Sequence, residues 1–273
     1  MEPFSILMTI YYRENPLFIR DALRSILNQT LMPNEIVIVK DGLLPLELDR
    51  LLKRYQEDYA GNIKLCGYEE NKGQGFAANF GLEFCSYSLV GRMDFDDISK
   101  PMRFQKQVDF MSTHEEIAIL GAWFEEFENT SGQCISLKRF PEVHEELVHL
   151  SKKRSPFAHP TVFFRKEAVL DSGGYRGRIK EDYNLWVRMF LKGYRGHNLQ
   201  ESLLFYRITK DFYRKKGGFY HVKEEVKLHY AFFKWKHINW LEMLRNILIN
   251  TAFRMIPSVV RKKIYVKFLR RQI

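Results

Sequence analysis

Hydrophobic positions along the first hundred residues alternate between two periods. Short apolar runs of the kind buried in a parallel sheet are separated by segments whose apolar positions recur every three to four residues. Strands alternating with helices predict an α/β fold with a parallel sheet and right-handed crossovers. The predicted strands are Ser5–Tyr11, Glu35–Asp41, Ile63–Tyr68 and Leu89–Met93, and the predicted helices are 16–29, Leu46–Tyr55 and Phe76–Ser86.

Polar residues follow three of these strands. Tyr11, Asp41 and the segment Asp94–Asp97 each stand where a strand ends. In open α/β sheets, ligands bind outside the carboxyl ends of the strands. The three positions are therefore expected to meet at one edge of the sheet and to form a binding site there.

The segment Arg92-Met-Asp94-Phe-Asp96-Asp97 places three carboxylates within four positions. Like charges this close repel, and a hard divalent cation with oxygen ligands, such as Mg2+ or Mn2+, makes the arrangement favourable. The alternative is a solvated acidic turn, in which Asp97 caps a helix entered at Ser99 and Pro101.

Composition limits the remaining possibilities. With 273 residues and 45% hydrophobic content, the chain can form one large domain or one domain with an appendage. Its three cysteines lack the C-x-x-C spacing, so neither a disulfide framework nor a zinc site is expected. A secretory signal and a transmembrane run are not recognisable either, which favours a cytoplasmic protein.

The positive charge is concentrated at the C-terminal end. Residues 211–273 contain 15 Lys or Arg against 4 Asp or Glu, interleaved with aromatic and aliphatic residues, whereas residues 1–210 are nearly neutral. Basic amphipathic helices of this kind lie in anionic membrane interfaces, although their apolar faces can also simply pack on a core. Nucleic acid is not an expected partner, because no RNA-binding or helix-turn-helix signature accompanies the charge. We therefore divide the chain into a main domain, 1–210, and a basic amphipathic helical tail, 211–273.

An ordered set of motifs over residues 4–207 resembles family 2 glycosyltransferases, which have the GT-A fold. The phrases Ala158–Arg165 and Glu181–Arg188 resemble the branch that builds bacterial exopolysaccharide, capsule or O-antigen units. One departure is Thr9-Ile-Tyr11-Tyr12, where many relatives have Pro-Thr-Tyr-Asn. The motifs are Ser5–Tyr11, Ser25–Gln29, Glu35–Gly42, Asn71–Gly75, Asn79–Gly81, Arg92–Asp97, Gly174-Tyr175 and Glu181-Asp182.

The resemblance implies a role for each donor-site residue. Asp41 would accept hydrogen bonds from the uracil or ribose of a nucleotide sugar, unless it only forms an Asp-Gly turn. Asp94 and Asp96 form the D-x-D pair that would hold Mg2+ or Mn2+ on the sugar diphosphate. Arg92 would contact a phosphate or pair with the carboxylates. The remaining nucleotide contacts are expected from Thr9 and Tyr11 at the first strand's end and from the loop residues Asn71, Lys72 and Gly73.

Asp182 is the candidate general base, with Glu181 as the second choice. In an inverting reaction a carboxylate takes the proton of the attacking hydroxyl. Because Tyr183–Leu191 is predicted to be helical, the alternative is that Asp182 only caps this helix.

Four further features can be explained by structure alone as well as by function. Gly73-Gln-Gly-Phe-Ala-Ala78 fits a dinucleotide-binding turn, but it follows the third strand rather than the first. His159 is either a structural hydrogen-bonder or a residue near substrate. Trp123–Cys134 is expected to form strand, turn and strand, with the turn at 129–132. The fourth feature is a basic run that either contacts diphosphate or is a solvated face: Lys210, Arg214, Lys215 and Lys216.

The expected function is transfer of a hexosyl residue from a UDP-sugar to a glycan acceptor, plausibly lipid-linked, by an inverting and metal-dependent enzyme. The basic tail suggests peripheral contact with the inner face of the cytoplasmic membrane. A non-processive enzyme is implied, since the Gln-x-x-Arg-Trp motif of processive synthases is not found. Two other functions remain open: a nucleotidyltransferase and a noncatalytic nucleotide-sugar binding module.

Overall fold

A computed structural model describes residues 2–128, 133–209, 218–257 and 260. Its described part contains one nine-stranded sheet in the order β3-β2-β1-β4-β8-β6-β9-β5, with β7 paired to β6. The strands are β1 Phe4–Ile10, β2 Glu35–Asp41, β3 Ile63–Tyr68, β4 Leu89–Arg92, β5 Ile98–Ser99, β6 Ile117–Glu128, β7 Cys134–Lys138, β8 Phe163–Arg165 and β9 Arg195–Ile208.

Helices cover both faces of this sheet, so the α/β prediction is confirmed. A short 3-10 turn, His159–Thr161, precedes β8. The helices are α1 Pro16–Leu27, α2 Leu46–Asp58, α3 Gln74–Phe84, α4 Arg103–Thr113, α5 His144–Ser151, α6 Lys166–Asp171, α7 Glu181–Leu191, α8 Phe219–Lys234 and α9 Trp240–Met255.

The first four strands are parallel to one another, as their apolar runs predict. β1 lies between β2 and β4, with Thr9 opposite Val39 and Leu7 opposite Arg92, so the ends of the three strands lie side by side. This register brings the residues that follow β1, β2 and β4 to one edge of the sheet. The binding edge expected from the sequence is thereby formed.

The second half of the sheet is mixed. β8 runs antiparallel to β4, β6 runs antiparallel to β8, and β9 is parallel to β6 over a long shared stretch. Trp123–Glu128 belongs to β6 and Cys134 begins β7, while the predicted turn at 129–132 lies outside the described residues. The predicted helix start at Ser99 is wrong, because Ile98 and Ser99 pair with β9 and the helix begins at Arg103.

Two apolar cores lie on opposite faces of the sheet. Leucine and isoleucine side chains of α1 and α2 pack on one face, and α3, α6 and α7 pack on the other. α3 approaches the sheet closely at Gly81, where an added Cβ would meet Leu7 and lie 2.6 Å from Val39 Cγ2. The absence of a side chain at Gly81 thus allows α3 to lie against β1 and β2.

The described part of the C-terminal segment packs on the core. Val222, Leu228 and Phe232 of α8 are buried, and Phe232 meets Tyr183 of α7 edge to face. On α9, the Asn246 side-chain amide donates to the Lys152 carbonyl. Within the described ranges, no helix is long and apolar enough to cross a membrane. The predicted basic run, Lys210 and Arg214–Lys216, and most of the tail after Pro257 lie outside the described residues.

Gly81→Ala is predicted to lower the free energy of unfolding by about 1–3 kcal/mol, because the new methyl group overlaps side chains of β1 and β2. This loss should exceed the helix-propensity gain of about 1 kcal/mol. Urea unfolding measures it, and Glu83→Ala, an exposed change on the same helix, is the control. A Gly81→Ala protein as stable as the control would contradict this account of α3 packing.

Candidate active site

A cavity of about 430 Å3 opens at the carboxyl ends of the parallel strands. Three strand ends and the loop before α3 form its walls, and Tyr206 of β9 closes one side. Seven of the predicted site residues line it: Thr9, Tyr11, Asp41, Asn71, Gly73, Asp94 and Asp96. The structure therefore brings together most of the residues predicted to form the donor site.

Asp94 is held by two neighbours. Its Oδ1 accepts hydrogen bonds from Arg92 Nη2 and Gln74 Nε2, each at 3.2 Å. Arg92 is fully buried and also donates to the Leu7 carbonyl at 2.9 Å, so it pairs with a carboxylate and does not line the cavity. Burial raises the pKa of Asp94, and the positive charges of Arg92 and Arg103 oppose that rise.

Asp97 has a different role from its neighbours. It is fully buried, and its Oδ1 accepts the Arg207 backbone N–H of β9 at 2.9 Å. The alternative in which it caps a helix is wrong, because β5 follows it. Arg207 Nε also donates to the Asp96 carbonyl at 2.7 Å, so one residue of β9 fixes the backbone of the acidic segment.

Asp41 anchors the loop before α3. Its carboxylate accepts from the Tyr68 hydroxyl at 2.9 Å, the Lys72 N–H at 2.7 Å, and the Asn71 side-chain amide and Gly73 N–H, each at 3.0 Å. An ionised carboxylate offers about four acceptor positions. These contacts occupy them with protein donors. Recognition of uracil or ribose by Asp41 stays a prediction, and loop anchoring is the role that the geometry supplies.

Lys72 contributes its backbone to this loop, while its side chain points elsewhere. The Lys72 ammonium lies over the rings of Tyr68 and Phe76, 5.5 and 4.7 Å from their centroids. Lys72 does not line the 430 Å3 cavity. Its predicted nucleotide contact therefore stays a prediction.

Asp182 and Glu181 form the first turn of α7, near the acidic segment. Burial raises the pKa of Glu181 to about 7, and the neighbouring Asp182 charge adds to the rise. Burial also raises the pKa of Asp182, opposed by the Tyr183 N–H and the Lys180 charge, while Asp94 raises it further. The Asp94 charge acts on both residues, but neither Asp182 nor Glu181 lines the 430 Å3 cavity, so the role of Asp182 as the base stays a prediction.

His159 and Tyr175 lie behind the acidic segment. The His159 Nε2 and the Tyr175 hydroxyl are 3.1 Å apart. Burial lowers the pKa of His159 well below its usual value, and Arg92 lowers it further, so the imidazole is neutral. This contact fits the interpretation of His159 as a structural hydrogen-bonding residue.

Comparison with known proteins identifies the family to which this chain belongs. The family model described as Glycosyl transferase family 2 matches residues 5–174. This chain is a family 2 glycosyltransferase. A UDP-Gal:alpha-D-GlcNAc-diphosphoundecaprenol beta-1,3-galactosyltransferase of Escherichia coli is 37% identical, over 98% of this chain and 97% of that protein. The amylovoran biosynthesis glycosyltransferase AmsE of Erwinia amylovora is 34% identical over 97% and 98%.

Solved structures confirm that the glycosyltransferase has the GT-A fold. S. aureus TarS 1–349 in complex with UDP-GlcNAc aligns with a TM-score of 0.64 and 18% identity, covering 98% of this chain and 71% of that chain. The mannosyltransferase PcManGT from Pyrobaculum calidifontis, in complex with GDP-Man and Mn2+, aligns with a TM-score of 0.62 and 15% identity, covering 96% and 72%. Membership of the family and the predicted fold class are thereby established.

The donor set at Asp94 and Asp96 fits a hard divalent cation. Among the described residues, no group of three or more His, Cys, Asp or Glu side chains could hold a metal ion. Mg2+ is commonly bound through one or two carboxylates together with substrate phosphates and water. Two carboxylates facing a nucleotide-sized cavity are therefore chemically suited to an ion that arrives with its diphosphate.

Sequence analysis missed several residues of the glycosyltransferase site. Gln74, Glu14 and Tyr206 line the cavity, and Arg207 holds the acidic segment from a strand 110 positions away. Gln74 stands inside the glycine loop already recognised, so its side-chain amide was a detectable signal. Nothing in the local sequence pairs Arg207 with Asp97, because that contact depends on the register of β9.

Asp41→Asn is predicted to reduce stability by about 1–3 kcal/mol, because an amide NH2 would replace an acceptor that faces N–H and O–H donors. Faster amide hydrogen exchange at Lys72 and Gly73 should accompany the loss. The matched control is Asp58→Asn, which makes the same chemical change at an exposed residue of α2. Unchanged exchange in the Asp41→Asn protein would show that the carboxylate does not hold the loop.

Proposed function

We propose that this glycosyltransferase transfers a hexosyl residue from a UDP-sugar to a lipid-linked glycan with inversion at the anomeric carbon. The observation that carries the proposal is that Asp94 and Asp96 line the cavity at the strand ends, while Asp182, in the first turn of α7, is within electrostatic reach of Asp94. The paired carboxylates face a diphosphate site, and the third carboxylate is available to take a proton. An inverting displacement requires both stabilisation of the leaving diphosphate and a base for the attacking hydroxyl.

Donor binding is assigned to the cavity at the strand ends. Tyr11 lines the cavity beside Asp94 and Asp96 and offers its ring as an apolar wall. Gly73 has no side chain, so the donor can approach its backbone closely. A UDP-sugar is favoured because TarS, which has the same fold, carries UDP-GlcNAc. Galactose is the first sugar to test, since the E. coli relative is named for UDP-Gal.

Asp94 and Asp96 would hold Mg2+ or Mn2+, as expected from the donor set and from the Mn2+ in PcManGT. When bound, the ion would neutralise charge on the departing diphosphate. Arg92 keeps Asp94 in place from beneath the cavity, and Arg207 holds the Asp96 carbonyl. These contacts fix the Asp94 carboxylate and the backbone of Asp96 before the donor binds.

Asp182 would accept the proton of the acceptor hydroxyl. A base works only when it is deprotonated, so a raised pKa predicts that kcat/KM falls as pH drops through that pKa. The acceptor is proposed to be a lipid-linked glycan because the E. coli relative is named for a diphosphoundecaprenol substrate. Synthesis of surface polysaccharide is the corresponding process, supported by the amylovoran and O-antigen relatives.

A further part of the proposal is peripheral attachment to the inner face of the cytoplasmic membrane. α9 presents an apolar face to solvent, in which Trp240 is 57% and Leu248 is 68% exposed. Such a face, next to a basic segment, suits the interface of an anionic bilayer. It would bring the enzyme to an acceptor that is itself anchored in lipid.

Asp182→Asn is predicted to keep donor binding and to lose turnover by about 100-fold or more, because the proton acceptor is gone. Asp96→Asn should instead abolish the metal-dependent rise in melting temperature caused by a UDP-sugar. A panel of UDP- and dTDP-sugars, with and without Mg2+ or Mn2+, measures binding, and sugar transfer measures turnover. Asp171→Asn, on the exposed side of α6, is the control.

Two outcomes would overturn the assignment. An Asp182→Asn protein with full transferase activity would exclude Asp182 as the base. Release of pyrophosphate from a nucleoside triphosphate, with no dependence on Asp182, would identify a nucleotidyltransferase.

The double change Leu241→Ser and Leu248→Ser is predicted to reduce binding to anionic lipid vesicles, because it removes two exposed apolar side chains from α9. Vesicle flotation with phosphatidylglycerol measures the bound fraction. Leu17→Ser and Leu43→Ser, which change two equally exposed leucines at the other end of the chain, form the matched control. Attachment through α9 would be contradicted if both proteins lost vesicle binding equally, or if neither lost any.

A further inference from the structure

Lys180 has an unusual backbone conformation immediately before the candidate base. It precedes Glu181 and Asp182, and its φ of 55° and ψ of 34° lie in the left-handed region. This conformation is unfavourable for a residue with a side chain, so surrounding contacts must hold it. The Lys180 carbonyl accepts the Asn184 N–H at 2.9 Å, which ties it to the first turn of α7.

The Lys180 ammonium is paired with a buried carboxylate from the C-terminal helices. Its Nζ lies 2.6 Å from an oxygen of Glu225 on α8, whose side chain is 1% exposed. The same oxygen accepts from Arg254 Nη2 of α9 at 2.9 Å, and His229 Nε2 lies 3.6 Å from the other oxygen. Glu225 is thus surrounded by groups from α7, α8 and α9.

These charges keep Glu225 ionised despite its burial. Burial alone would raise the pKa of Glu225, but the contacts with His229, Lys180 and Arg254 outweigh it and lower the pKa. Removing one partner from a buried charge cluster is costly, because the remaining charge stays desolvated. Glu225 therefore provides a permanent negative charge that holds the Lys180 side chain.

Lys180 in turn acts on Asp182. Burial lowers the pKa of Lys180, and the ion pair with Glu225 opposes that shift. The Lys180 charge lowers the pKa of Asp182, against the burial that raises it. The charged and titratable groups that face this turn are Glu181 on α7, Asp94 and Arg92 from β4 and the segment after it, Tyr175 from the loop before α7, Glu225 on α8 and Arg254 on α9.

We propose that Lys180 is a positioning residue for the reaction, and that Glu225 of the C-terminal helices holds it in place. The ammonium places a positive charge in the turn that carries Asp182, and its ion pair with Glu225 ties that turn to the helices after residue 218. The inference rests on the proposed role of Asp182 as the base. It assigns a function to a cluster that lies outside the donor cavity.

Lys180→Met removes the ammonium but keeps a long side chain. Lys180→Gly also removes the ammonium, and glycine adopts the left-handed conformation without strain. Both should move the acid limb of the kcat/pH profile to higher pH, with a loss of about tenfold in kcat below the limb. KM for the UDP-sugar should stay within about twofold of its original value, because the donor cavity is unchanged. Lys180→Arg, which keeps the charge, should restore the position of the limb.

Glu225→Gln should shift the limb in the same direction, because Lys180 loses its counter-charge. Glu224→Gln is the matched control, since Glu224 is the adjacent residue and pairs with Lys227 instead. A purely structural role would lower the melting temperature of the Lys180 and Glu225 variants without moving the acid limb, and that result would overturn the inference.

The experiments distinguish a wrong positioning role for Lys180 from a wrong assignment of Asp182. If Asp182→Asn loses turnover but the Lys180 variants keep the original acid limb, only the positioning role is wrong. If Asp182→Asn keeps full turnover, Asp182 is not the base, and the assignment of Lys180 fails with it.

Discussion

The constraint on which the site depends is the compensation of three carboxylates at the end of β4. Asp94, Asp96 and Asp97 lie within four positions, and Asp97 is fully buried. Burying such a cluster without partners would cost several kcal/mol for each ion. Guanidinium groups from three separate elements lie around it, Arg92 of β4, Arg103 of α4 and Arg207 of β9, but burial and the neighbouring carboxylates still raise the pKa of Asp97 well above its usual range. Because each of these cations must reach the same segment, the cluster determines where β4, α4 and β9 meet.

The same contacts join the two halves of the sheet. Arg92 donates to the Leu7 carbonyl of β1, and Arg103 donates to the Arg92 carbonyl at 2.7 Å. From the other half, Arg207 contacts the acidic segment and also pairs with Asp21 of α1 at 3.0 Å. The parallel half supplies the edge that is proposed to bind the nucleotide, and it holds the Asp94 carboxylate through Arg92 and Gln74. The mixed half contributes Arg207, which contacts the Asp97 carboxylate and the Asp96 backbone carbonyl.

Local patterns predicted the parallel half well, because an apolar strand, a helix and a polar strand end are all encoded within about thirty residues. Asp41, Asp94 and Asp96 could be assigned to one edge on this basis. The buried contact of Asp97 was not predicted, because its partner, Arg207, is 110 positions away and is brought close only by the β5–β9 pairing. The loop-anchoring role of Asp41 was equally hidden, since an Asp-Gly pair does not reveal that the following loop folds back onto the carboxylate. Contacts that depend on the register of distant strands leave no periodicity in the sequence.

Packing and membrane attachment were treated as alternatives for the tail, but the described helices allow both. One side of α8 is buried and supplies Glu225 to the turn before Asp182, whereas α9 turns Trp240 and Leu248 to solvent. The helix pair therefore has one exposed apolar surface that suits a bilayer and one buried surface that contacts Lys180. Arg254 sits in the last turn of α9 and contacts Glu225, so any movement of α9 at a membrane surface would be transmitted to Lys180 through a single buried carboxylate. In the proposed function, α9 would thus carry membrane-facing side chains and also supply Arg254 to the cluster that supports the turn before Asp182.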